Sequence, residues 1–173
     1  MLNDYKLELQ INQKKGLPFT LAAVIVWIFV TFISSLNVSI DFKNLLTFIA
    51  SASMFPIALI FGKVLKVSIA QKLNPLTKLG LYMTFNQFLY LLIVMLLMNQ
   101  HPQLMLLSYA IVYAAHLFPY GWIYDSKIYT FGSGLLAISS IFVFFIGNSF
   151  LLACYNALFM ICFNILLWRE VKQ

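Results

Sequence analysis

Tyr109, Tyr113, His116 and Tyr120 are the residues of this chain best suited to hold a ligand. They stand at i, i+4, i+7 and i+11, offsets that put all four on one face of an α-helix. Three phenols and an imidazole on one stripe supply hydrogen bonds, aromatic surface and one group that titrates near neutral pH. Two other stretches offer partners. Tyr82, Asn86 and Tyr90 repeat at four-residue spacing with Gln87 beside them, and Asn156 precedes Asn164 by two helical turns.

Six apolar runs must position these groups, at 18–36, 44–66, 77–98, 103–124, 127–147 and 149–168. The chain is 62% hydrophobic and only 9% charged, where a soluble domain carries roughly a quarter charged residues. Each run reaches the ~20 residues that cross a bilayer as a helix. The runs are continuously apolar, without the alternation of a barrel strand, so helices are expected. The expected fold is all-α: a polytopic membrane protein, one domain over residues 1–173, built as a bundle of six transmembrane helices. Leu2, Tyr5 and Leu9 recur at helical spacing and predict a short interfacial helix within residues 1–15. Pro18 suits the first turn of the first span, Asp125-Ser126 an N-cap for the fifth, and Gly147-Asn148 the last hairpin.

The basic residues occupy alternate gaps. Lys6, Lys14, Lys15, Lys63, Lys66, Lys72, Lys78, Lys127, Arg169 and Lys172 fall on one side, and Lys43 alone on the other. This asymmetry predicts that both ends face the cytoplasm (N-in, C-in). A net charge of +6 placed in this way suits contact with the bilayer and its anionic lipids on the cytoplasmic side. A nucleic-acid partner is not expected, because no soluble basic module exists to bind one.

With 1.5 Å of rise per residue, Asn86, Gln87, Tyr113, His116 and Asn156 all fall within about 6 Å of the bilayer centre. The result is a polar layer contributed by three helices. Such a layer either bonds helices to one another or lines a pocket. The candidate ligand-binding set is Tyr109, Tyr113, His116 and Tyr120, with Asn86, Gln87 and Asn156 opposite and Tyr90 on the same stripe as Asn86. Pro119 and Gly121 loosen the end of the fourth span, and Pro56 is placed to kink the second.

What the spans lack narrows the chemistry. None holds Asp, Glu or Arg, so proton or cation coupling through a buried acid is not expected. His101 is superficial and His116 deep, so they do not form a shared metal or haem site. No nucleophile, base and acid fall together, and neither catalysis, a metal nor a cofactor is assigned. Cys154 and Cys162 are two turns apart on one helix, too far to bridge, and read as small buried residues. Trp122, Tyr124, Tyr129 and Trp168 fall where an interfacial aromatic belt is expected, while Trp27 lies in mid-span.

The stretches GLPFTLAAVIVW, LLTFIASASMFPIAL and AHLFPYGWIY resemble a family of uncharacterised small six-span bacterial integral membrane proteins. That resemblance covers nearly the full length and implies a bacterial inner (cytoplasmic) membrane protein with no assigned activity. Size and span number are also similar to the substrate-binding subunits of energy-coupling-factor vitamin transporters. In that family small residues of the first helix dock on a transporter module, and Ala22 and Ala23 are the nearest match. The expected function is non-enzymatic: binding a small neutral or lipophilic ligand in the mid-bilayer polar pocket, with translocation of that ligand as an extension the residues leave open. The alternative is an accessory or regulatory subunit of a larger membrane complex, including a substrate-binding subunit of a vitamin transporter, and the partner would then be a further copy in a homo-oligomer or another membrane protein.

Overall fold

The computed structural model of the chain describes residues 1–67 and 74–172, and every regular element among them is helical. In order these are α1 (Leu2–Asn12), α2 (Leu17–Ser35), α3 (Ile40–Ala52), α4 (Met54–Val64), α5 (Pro75–Gln100), α6 (Met105–Ile123), α7 (Lys127–Ile146) and α8 (Ser149–Lys172). A left-handed turn at Lys14–Gly16 leads into α2, and a single 3-10 turn at Pro102–Leu104 leads into α6. Six helical stretches are long and apolar enough to cross a membrane: Lys14–Ser35, Ile40–Val64, Pro75–Gln100, Pro102–Ile123, Lys127–Ile146 and Ser149–Lys172. They coincide with the six expected spans to within a few residues.

Local chemistry sets several of the boundaries. The Asn74 side chain accepts from the Leu76 amide at 2.9 Å, with Pro75 in the first turn of α5. Asn148 caps α8 by accepting from the Leu151 amide at 2.9 Å. The second span runs from Ile40 to Val64 with a one-residue turn at Ser53 between α3 and α4, where the backbone stays in the right-handed helical region (φ −72°, ψ −11°), as a disturbance caused by Pro56 would have it. Proline has no N–H, so Pro56 leaves the Ala52 carbonyl, a turn earlier, without its helical donor. The turn therefore appears upstream of the proline. Pro119 does not interrupt α6, which runs on to Ile123.

The helices divide into centre and rim. α2 packs against α8, α4 and α3, while α6 packs against α7 and α5. Trp27 of α2 joins these two groups by packing on Tyr109 and Tyr113 of α6, with ring centroids 5.5 and 5.9 Å apart. Half or more of the most apolar stretch of α2 and α6 is buried, against only 6% for α5. α5 is thus the most peripheral span, resting on α6 and on α1.

The described basic residues other than Lys43 gather at one end of the bundle, called here the basic end; Lys72 lies outside the described residues. α1 lies across that end. Asn74 donates to the Tyr5 carbonyl and to Glu8 at 2.9 and 3.0 Å, and the Lys6 ammonium sits 3.9 Å over the Trp122 ring. Of the face expected on α1, Leu9 is buried, Tyr5 half-buried and Leu2 exposed. Ala22 and Ala23 are fully buried inside the chain, so the surface that the vitamin-transporter resemblance assigns to docking is not exposed. Cys162 also departs from expectation: it is exposed on the outside of α8.

Candidate functional site

The α6 stripe forms as its spacing predicts, but its side chains do not converge on one space. The Tyr109 hydroxyl is 2.8 Å from the Ser51 hydroxyl of α3. The Tyr113 hydroxyl donates to the Met160 sulfur of α8 at 3.5 Å. The Tyr120 hydroxyl donates to the Gly80 carbonyl of α5 at 3.0 Å and is 2.9 Å from Thr84 Oγ1. His116 is half-buried, edge-on to the Tyr120 ring at 5.2 Å. Eleven residues of helix rise about 16 Å. Over that length α6 passes three different neighbours, and each tyrosine of the stripe reaches the one at its own level.

The other candidates are distributed around the bundle. Asn156 is fully buried between α8 and α7, donating to the Leu152 carbonyl at 2.9 Å and to Ser140 Oγ at 3.3 Å. Its Oδ1 is buried with no hydrogen-bond partner among the described residues. Asn86, Gln87 and Tyr90 belong to α5, which packs on the α6 side of the bundle, away from the contact of α7 with α8. They therefore do not stand opposite Asn156 across a common cavity. Asn86 and Gln87 are half-buried, and Tyr90 is 45% exposed on the outer surface. Among the described residues none of the three makes a side-chain hydrogen bond, although Thr84, a few residues away, does.

A second concentration of polar contacts lies at the basic end, built from residues that sequence reasoning assigned elsewhere. Lys14, Lys15 and Gly16 are three consecutive left-handed residues, with φ of 46°, 51° and 72°. Two lysines in that region are strained, so surrounding contacts must hold them. The Tyr124 hydroxyl donates to Gln13 Oε1 at 2.9 Å, and the Tyr129 hydroxyl donates to the Lys15 carbonyl at 2.8 Å. A Cβ on Gly16 would stand 3.0–3.2 Å from these two tyrosines, so the turn needs glycine for space as well as for φ. Lys15 Nζ pairs with Glu170 of α8 at 3.1 Å, and Ser126 donates to the same carboxylate at 2.6 Å. Lys14 Nζ donates to the Leu65 carbonyl that follows α4, at 2.9 Å.

This knot joins the entry to α2 with the end of α4, the α6–α7 corner and the end of α8. Tyr124 and Tyr129 are buried clamps, whereas Trp122 and Trp168 remain outward as a belt requires. Burial pushes the Tyr124 phenol well above its ordinary range, so it stays a neutral donor. Ser126 begins α7 without capping it through its side chain, because its hydroxyl is turned to Glu170. In the sequence, only Gly16 two residues ahead of Pro18 hints at the turn. Nothing local points to its distant partners.

Neither region presents a nucleophile paired with a base. Among the described residues no three His, Cys, Asp or Glu side chains gather as metal ligands. No curated protein and no solved structure matches the chain. A family model does match, over residues 2–170, and with nearly the whole chain covered the protein belongs to DUF7010, a family of unknown function.

Proposed function

We propose that this protein is a non-enzymatic subunit of a membrane assembly, and that the outer flank of α5 is the surface by which it joins another membrane chain. The observation that carries this reading is the polar stripe Tyr82, Asn86 and Tyr90. It runs along the least buried span, with Asn86 and Tyr90 lacking a hydrogen-bond partner among the described residues. Asn86, Gln87 and Tyr90 lie within about 4 Å of the midpoint of α5, counted along its rise. At that depth no water is at hand, and an unpaired polar group costs several kcal/mol. Exposed Leu, Ile or Phe on the same helix needs no cover, since lipid tails suit them. The amides do need it, and a partner helix offering donors and acceptors would supply it. The one-sided basic charge favours a multi-pass placement with both ends cytoplasmic.

Native mass spectrometry of the protein extracted in mild detergent tests this. The wild type should appear in an assembly heavier than its own 19.8 kDa. The double substitution Asn86→Leu with Tyr90→Phe should release the single chain. A wild type that is already a lone chain would remove the basis for the proposal.

A second reading keeps the mid-bilayer ligand, and the buried, unpaired Asn156 Oδ1 favours it. A small neutral molecule with one donor would complete that amide beside Ser140. The same spectra would then show an added small mass that Asn156→Leu abolishes.

A further inference from the structure

A groove of about 390 Å³ runs between α2 and α8 at the basic end. Leu21 and Val24 of α2 form one wall, and Ile161 and Ile165 of α8 the other. Asn164 lines it too but offers little, because its amide is spent within the chain. It donates to the Thr20 and Met160 carbonyls at 3.0 and 2.8 Å, and it accepts from the Thr20 hydroxyl at 2.7 Å. The groove is therefore apolar along its length. It ends at Trp168 and Arg169, and the rise from Ile161 to Arg169 is about 12 Å.

The charge at this mouth is uncompensated. Among the described residues Arg169 makes no ion pair and no side-chain hydrogen bond. The acid next to it in sequence, Glu170, is held by Lys15 and Ser126 and is not free to neutralise it. Lys172 adds a second cation, its ammonium 5.4 Å over the Trp168 ring. An apolar channel with an indole and an unpaired guanidinium at its head matches a two-part ligand. A guanidinium receives phosphate oxygens in pairs, and indole rings settle at headgroup depth.

We infer that this groove holds one anionic phospholipid, with an acyl chain between α2 and α8 and its phosphate on Arg169. The site differs from general attraction to an anionic leaflet in requiring both parts together. It is independent of the α5 surface.

The test is native mass spectrometry of the purified full chain with equal amounts of phosphatidylglycerol and phosphatidylcholine of matched chains. One phosphatidylglycerol should be retained in preference. Arg169→Gln should weaken its retention about fivefold, the effect of one basic residue at an anionic surface. Ile165→Trp, at an exposed groove position, should exclude the chain and weaken retention as much. Lys127→Gln, at the same end but outside the groove, should leave it unchanged. Equal losses for Arg169→Gln and Lys127→Gln would overturn the site in favour of diffuse electrostatics. Undiminished binding in Ile165→Trp, or displacement by inorganic phosphate at lipid-equivalent concentration, would overturn it in favour of a bare anion site.

Discussion

Two polar stripes in this chain are written in nearly the same way. Tyr109, Tyr113, His116 and Tyr120 recur on α6, and Tyr82, Asn86 and Tyr90 recur on α5, both at near four-residue spacing. On α6 each tyrosine hydroxyl finds a partner on another helix. On α5 the stripe turns outward and Tyr90 and Asn86 find none among the described residues. The two helices differ in position, since α6 has neighbours on several sides and α5 leans mainly on α6. Helical spacing selects a face; the surrounding bundle decides whether that face is internal glue or an open surface.

The largest test of this contrast is truncation within the closed stripe. Tyr113 is 2% exposed, held between Trp27 and Met160. Tyr113→Ala should cost about 3–5 kcal/mol of stability, as large aromatic deletions in packed cores do. Denaturant unfolding of the detergent-solubilised chain would read it. A loss below about 1 kcal/mol would mean that this part of α6 faces a cavity and not a packed contact. The open stripe should answer with the opposite sign. Asn86→Leu removes an unpaired amide and should stabilise the isolated chain by about 1–3 kcal/mol while dissolving the assembly. A destabilised isolated chain would place a partner for Asn86 inside the fold and return α5 to an internal role.

The six spans were legible because run length is a property of single residues added along the chain. The turn in the second span was legible in kind, since Pro56 forecast a disturbance. Its place at Ser53 follows from the hydrogen bond that proline withholds a turn earlier. The face of α6 was also readable, but the destinations of its side chains were not. Periodicity gives direction about a helix's own axis and nothing about which neighbour stands there. The knot at Lys14–Gly16 was the least legible part. Tyr124 and Tyr129 reach it from more than 100 residues away in sequence. By position alone they resemble interfacial aromatics, and the left-handed turn they clamp contains two lysines that no local rule would place there. Ala22 and Ala23 make the same point for packing: small residues announce close approach, but not whether the approaching helix belongs to the same chain.

The smallest expected effect separates the stripes most directly, because it changes one hydroxyl in each and almost no volume. Tyr109→Phe removes the bond to Ser51, and an interhelical hydrogen bond within a membrane contributes about 0.6 kcal/mol on average and up to about 1.7. Ser51 loses little, because its one hydroxyl proton still has the Thr47 carbonyl as acceptor at 2.7 Å. A loss within that range is therefore expected, without the further penalty of an orphaned partner. Tyr90→Phe removes a hydroxyl with no partner among the described residues, so the isolated chain should lose nothing measurable. Unfolding of the two variants side by side, as single chains, gives the difference. Equal losses would mean that the α5 hydroxyl is satisfied within the chain, and the outward stripe would no longer call for a partner. If only Tyr109→Phe loses stability, while Tyr90→Phe weakens the assembly, the two stripes have the same chemistry and differ in which molecule completes them.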